Sequence, residues 1–124
     1  DNPWMTSVGM AAMMHGIVAG GPPVGPGGIF SLSDAATLEQ VVAGAGFADV
    51  AVEPVDVVLG AASVDAHIDR VGSLAGPLAA AIAAATPEQS AAFRRTATDL
   101  LAPYVTDDGV AVPGRALLVS ARRR

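Results

Sequence analysis

The chain closes on VPGRALLVSARRR, and the stretch from about Arg115 to Ala121 reads as a β-strand with two apolar faces. Side chains alternate across a strand. Ala116, Leu118 and Ser120 fall on one side, and Leu117, Val119 and Ala121 on the other. A strand that is apolar on both sides is expected to be covered on both sides, which is the position of a central strand. The rest of the sequence offers one other strand of comparable strength, over Asp49 to Val58. There Val50 and Val52 alternate with smaller or polar neighbours, Pro54 marks a bulge or a sheet edge, and Val55, Val57, Val58 and Leu59 continue the run. A two-stranded sheet is marginal in water. The closing strand is therefore expected to belong to a larger sheet than this chain builds by itself.

The segments around these strands are well punctuated. Ser33 reads as an N-cap, with Asp34 placing negative charge on the first turn of the helix that follows. Leu38, Val41, Val42 and Ala45 make one apolar stripe. Gly46 sits where a left-handed residue ends a helix, and Phe47 is expected to pack back on it. Ser63 caps a further helix on which Val64, Ile68, Val71, Leu78 and Ile82 share a face, split or kinked at Gly76-Pro77. Thr86-Pro87-Glu88-Gln89 combines an N-cap, a first-turn proline and a capping box. Phe93, Ala97, Leu100, Leu101 and Tyr104 then line one face, and Asp107-Asp108-Gly109 reads as a turn.

The first 30 residues differ from the rest. Residues 2–33 contain no Asp, Glu, Lys or Arg. Met10, Met13, Met14 and Ile17 fit one face of a helix within Asn2 to Ala19, which Gly9 and Gly16 weaken. GGPPVGPGG, from Gly20 to Gly28, is a loop by composition and reads as a hinge. Its prolines and glycines exclude a membrane span, which needs about 20 predominantly apolar residues. A signal peptide needs a basic leading region, and none is present.

Composition narrows the function classes. Charged residues make up 15 % and apolar residues 52 %, which excludes a disordered composition. Much of that apolar content is alanine, so the core is thin and its stability is expected to draw on oligomerisation or a neighbouring segment. A net charge of −5 argues against binding nucleic acid or an anionic membrane. Arg122-Arg123-Arg124 reads as a solvated end. Without cysteine there are no disulfides, thiolate metal sites or cysteine nucleophiles, and a cytoplasmic location is expected.

The order of these elements resembles the C-terminal part of a class I S-adenosylmethionine-dependent methyltransferase of the UbiE-like, type 11 group. That α/β fold is a Rossmann-like, mostly parallel sheet whose final antiparallel strand inserts between the fifth and sixth. Asp34 to Ala45 resembles the last crossover helix, and Gly46-Phe47 with Asp49 to Val58 the passage into strand six. Residues 63–104 resemble the helical insertion, and Arg115 to Ala121 the inserted strand seven. Residues 1–30 resemble the lid-like segment over the acceptor, and 31–124 the C-terminal α/β portion. The glycine-rich cofactor loop and the acidic residue that holds the ribose have no counterpart here. GGPPVGPGG does not open a helix after a strand, so it is neither that loop nor a phosphate loop.

The resemblance implies an acceptor-side part of an enzyme whose parent uses S-adenosylmethionine, with no cofactor expected on this chain alone. It implies a small, apolar acceptor bound by Trp4, Met5, Met10, Met14 and His15, with Met13 beside them. His15 is of the type that removes an acceptor proton. No catalytic residue is assigned, and Glu39 and Glu53 read as solvated charges. His67, between Asp65 and Asp69 on a surface helix, lacks a third ligand of known geometry, so no metal site is read there. In isolation the chain is expected to be a small α+β domain. It should form a homo-oligomer through the edge of strand 115–121 or exchange residues 1–30 between copies. The competing reading is a non-enzymatic α+β dimerisation or small-ligand-binding module.

Overall fold

In the computed structural model, residues 2–19, 30–74 and 76–124 are described. Together they form a small α+β structure of five α-helices and a three-stranded antiparallel sheet. The order is α1 (Pro3–Met14), α2 (Ala35–Gly44), β1 (Phe47–Ala61), α3 (Val64–Leu74), α4 (Gly76–Ala84), α5 (Pro87–Leu101), a 3₁₀ turn (Ala102–Tyr104), β2 (Val105–Thr106) and β3 (Gly109–Arg123). The sheet order is β1-β3-β2, so the closing strand is central. Asp56 faces Arg115 and Asp49 faces Arg122, which fixes β1 and β3 as antiparallel. Two compact units are present: Asp1–Gly21 with Val58–Gly114, and Pro22–Val57 with Arg115–Arg124. The loop Gly20 to Gly28, read as a hinge, lies outside the described residues.

The first unit is built around α1, α3, α4 and α5. Its core joins Val8, Ala11 and Ala12 of α1 to Ile68 and Val71 of α3, Leu78 of α4, Phe93, Ala97 and Leu101 of α5, and Val110 and Val112 of β3. The α3 and α5 faces are those the periodicity predicts. Ser63 Oγ accepts from the Ala66 amide at 3.0 Å, and the Thr86/Gln89 capping box has both of its bonds. The expected split gives two helices, α3 ending at Leu74 and α4 starting at Gly76. Asp107-Asp108 joins β2 to β3, with Thr106 opposite Gly109 and Val105 opposite Val110.

The face of α1 is a correction. The helix ends at Met14, and its buried residues are Val8, Ala11 and Ala12, whereas Met10, Met13 and Met14 are exposed. Alanine on the inner face lets α1 approach α5 closely, so the bulkier methionines remain outside.

In the second unit Asp34, not Ser33, caps α2, its carboxylate accepting from the Thr37 amide at 2.8 Å. Gly46 has φ +93°, the left-handed conformation expected after this helix. Of the predicted stripe only Leu38 is buried, and Val41 and Phe47 are exposed. Phe47 opens β1 and is 42 % exposed. Pro54 lies on an edge strand, where a missing N–H breaks no ladder bond on the outer side.

Both strands are longer than their apolar runs suggest. β3 begins at Gly109, and Val110, Val112 and Gly114 are buried. From Arg115 onward no residue is fully buried: Leu117 and Val119 are partly covered, while Ala116, Leu118 and Ser120 on the other face are exposed, so the expected cover on both faces is not found. The physical reason is that β2 reaches only Gly109 and Val110, and burial by the helical core stops at Gly114.

Candidate functional site

A cavity of about 280 Å³ opens in the first unit between α3, α4 and α5. Ile68, Ile82 and Phe93 form apolar wall, and Asp69, Ser73 and Arg94 supply polar groups. Helical spacing places Asp65 and Asp69 on one face of α3, one turn apart. Arg94 of α5 reaches both, with Nη1 donating to Asp65 at 3.2 Å and Nη2 donating to Asp69. The hydrogen bond that the guanidinium donates to Asp69 raises its pKa, with the charges of both carboxylates adding to the shift. Two carboxylates against one guanidinium leave the rim with a net negative charge. The pocket is at the small end of ligand-sized cavities, and its walls suit a compact apolar group with a hydrogen-bond donor at one end.

His67 is a second correction. It lies two residues from Asp65 and from Asp69, so it points to the opposite side of α3 and is fully buried. Its Nε2 donates to the Trp4 carbonyl at 2.8 Å, which ties α3 to α1. This fixes the tautomer and leaves Nδ1 as an acceptor, buried and without a hydrogen-bond partner. The surface position expected for His67 is thus replaced by a core tether. No cluster of three acidic or histidine side chains with metal-binding geometry occurs among the described residues.

The residues the sequence singles out for an acceptor do not converge on the cavity. Trp4 and Met5 pack against the core, while Met10 and Met14 lie on the solvent side of α1, 48 % and 62 % exposed. His15 caps the C-terminus of α1, and its Nε2 shares a 2.6 Å hydrogen bond with Thr96 Oγ1 of α5. Gln89 Nε2 donates to the His15 carbonyl at 3.3 Å. His15 is therefore held on α5 from both its ring and its backbone. The cavity residues Asp69, Phe93 and Arg94 were not singled out for binding. The available signal was the Asp65/Asp69 pair at helical spacing, which called for a cation on a facing helix.

No family model, curated protein or solved structure matches the chain. No helix among the described residues is long and apolar enough to cross a membrane.

Proposed function

We propose that this chain is the C-terminal, acceptor-side part of a cytoplasmic S-adenosylmethionine-dependent methyltransferase acting on a small apolar molecule. One observation carries the reading. A capped helix runs through Gly46 into β1, a helical insertion follows, and β3 returns antiparallel beside β1 and central in the sheet. This order supports the reading because it is the one the resemblance implies for a last crossover helix, strand six, an insertion and an inserted strand seven. The exposed apolar positions of the ribbon, Val55, Val57 and Leu118, are what strands of a larger sheet leave when their neighbours are not supplied.

In this reading Trp4, Met5, Met10, Met14 and His15 belong to the lid over the acceptor. Met10 and Met14 offer an adaptable thioether surface. Transfer of a methyl group needs donor and acceptor aligned at the reacting atom. The parent protein's cofactor half supplies that donor, and no residue of this chain is assigned to it. The open edge of β3 takes a further strand.

The test is methyl transfer from labelled S-adenosylmethionine by this chain joined to the upstream half of its own reading frame. The joined protein is expected to bind the cofactor, while the chain alone gives no binding heat by isothermal titration. Micromolar binding by the chain alone overturns the assignment of the cofactor site to the other half.

The closed core and capped helices of the first unit favour one second reading, a self-sufficient module that binds a small ligand or dimerises without catalysis. That module unfolds in urea in one cooperative, concentration-independent step, whereas a part of a larger sheet does not.

A further inference from the structure

The two outer sides of the β-ribbon are built differently. β1 is an edge strand carrying Pro54, which has no N–H to offer, and Asp49 at φ +52°, which distorts the strand near its start. Such features prevent another strand from adding to an edge. β3 has an edge facing away from β1, and β2 covers it only at Gly109 and Val110. From Ala116 to Ala121 no other strand of the described residues lies along it. That stretch contains no proline, no glycine, no charge and no positive φ. The flanking cations are drawn toward β1, Arg115 to Asp56 at 3.0 Å and Arg122 to Asp49 at 3.7 Å. Leu118, at the centre, is 56 % exposed.

We propose that this edge is a self-association surface, occupied by β3 of a second copy paired antiparallel about a two-fold axis at Leu118. The blocked outer side of β1 rules it out as the partner strand and leaves β3 against β3. Charge permits this register. Leu118 faces its own equivalent, Leu117 faces Val119 and Ala116 faces Ser120, while Arg115 falls opposite Ala121. No arginine opposes an arginine, the arrangement that would weaken a cross-strand pair. A two-fold contact of this kind closes at two copies. The inference concerns this chain by itself, where the edge that the proposed reading gives to a further strand of the parent is open to a second copy; it is independent of methyl transfer, because it uses only the ribbon.

Sedimentation velocity of the whole chain over a range of concentrations tests it, with circular dichroism to check the fold. A monomer–dimer equilibrium is expected. Leu118→Arg places two cations face to face and is expected to weaken the dimer about tenfold or more. Val41→Arg, at an exposed apolar site on α2, is expected to leave it unchanged. If Leu118→Arg fails to fold, Ala116→Arg combined with Ser120→Arg, both at exposed positions, sets arginine opposite arginine on the same edge. A monomer at every concentration, a dimer indifferent to both β3 variants (as exchange of α1 would give), or an open-ended series of larger species overturns the proposal. Each of these leaves the methyl-transfer assay untouched.

Discussion

The indole of Trp4 occupies the space that a side chain at Gly114 would need. A Cβ on Gly114 would lie 2.6 Å from Trp4 Cδ1 and 3.2 Å from Asn2 Oδ1. Trp4 Nε1 donates to that same Asn2 oxygen at 3.1 Å, and the Trp4 carbonyl accepts from His67. Trp4 thereby joins α1, α3 and the buried part of β3. Gly114→Ala is predicted to cost about 1–3 kcal/mol through overpacking, read as a lowered urea midpoint. Combined with Trp4→Ala, the cost of Gly114→Ala should shrink, because the clashing group is gone. Strict additivity would show that the two residues are not coupled.

His67 gives a second prediction about the same junction. His67→Ala removes a fully buried ring and the donor to the Trp4 carbonyl. A loss of about 2–4 kcal/mol is expected from the cavity and the abandoned hydrogen bond together. Amide exchange should accelerate in α1 as well as α3. Exchange confined to α3 would contradict the tether.

The cap of α2 sets a pH dependence. Asp34 accepts from the amide and the hydroxyl of Thr37, at 2.8 and 2.9 Å, and these bonds hold its carboxyl below the ordinary carboxylate value. A carboxylate lowered in the folded state contributes stability above its unfolded pKa and loses it as pH falls through the folded value. Protection of the Thr37 amide is therefore predicted to decline as pH drops below about 4. Asp34→Asn retains a capping oxygen and should flatten that decline. An unchanged acid profile in this variant would place the sensitivity elsewhere.

The Thr86 capping box makes the simplest prediction. Its two bonds, 3.2 Å from the Gln89 amide to Thr86 Oγ1 and 3.0 Å from the Thr86 amide to Gln89 Oε1, satisfy the start of α5. Thr86→Ala should cost about 1 kcal/mol in thermal unfolding, and Thr86→Ser much less. Equal losses from both would remove the hydroxyl from the account.

These features differ in how far the sequence announces them. Thr86, Ser63 and Gly46 act on backbone groups a few residues away, so their chemistry is legible in a short window. The burial of His67 is not, because its partner carbonyl lies 63 residues earlier in the chain. The inner face of α1 is not legible in its pattern, because methionine outweighs alanine in hydrophobicity, whereas a close helix contact selects the smaller residue. β2 is two residues long and exists only through Gly109 and Val110. β3 starts at Gly109, ahead of the apolar run from Arg115, and Gly114 within it lies against Trp4, a contact between residues far apart in the chain. The cavity draws its walls from three helices, and only the Asp65/Asp69 spacing hinted at Arg94.

On the proposed function, the β1–β3 ribbon is the end of a methyltransferase sheet. Sequencing the transcript upstream of the Asp1 codon tests it most directly. An open frame is expected there, encoding a β-strand, a glycine-rich loop opening a helix, and an acidic residue after the next strand. A frame without that strand–loop–helix unit, or one that begins at this segment, would contradict it.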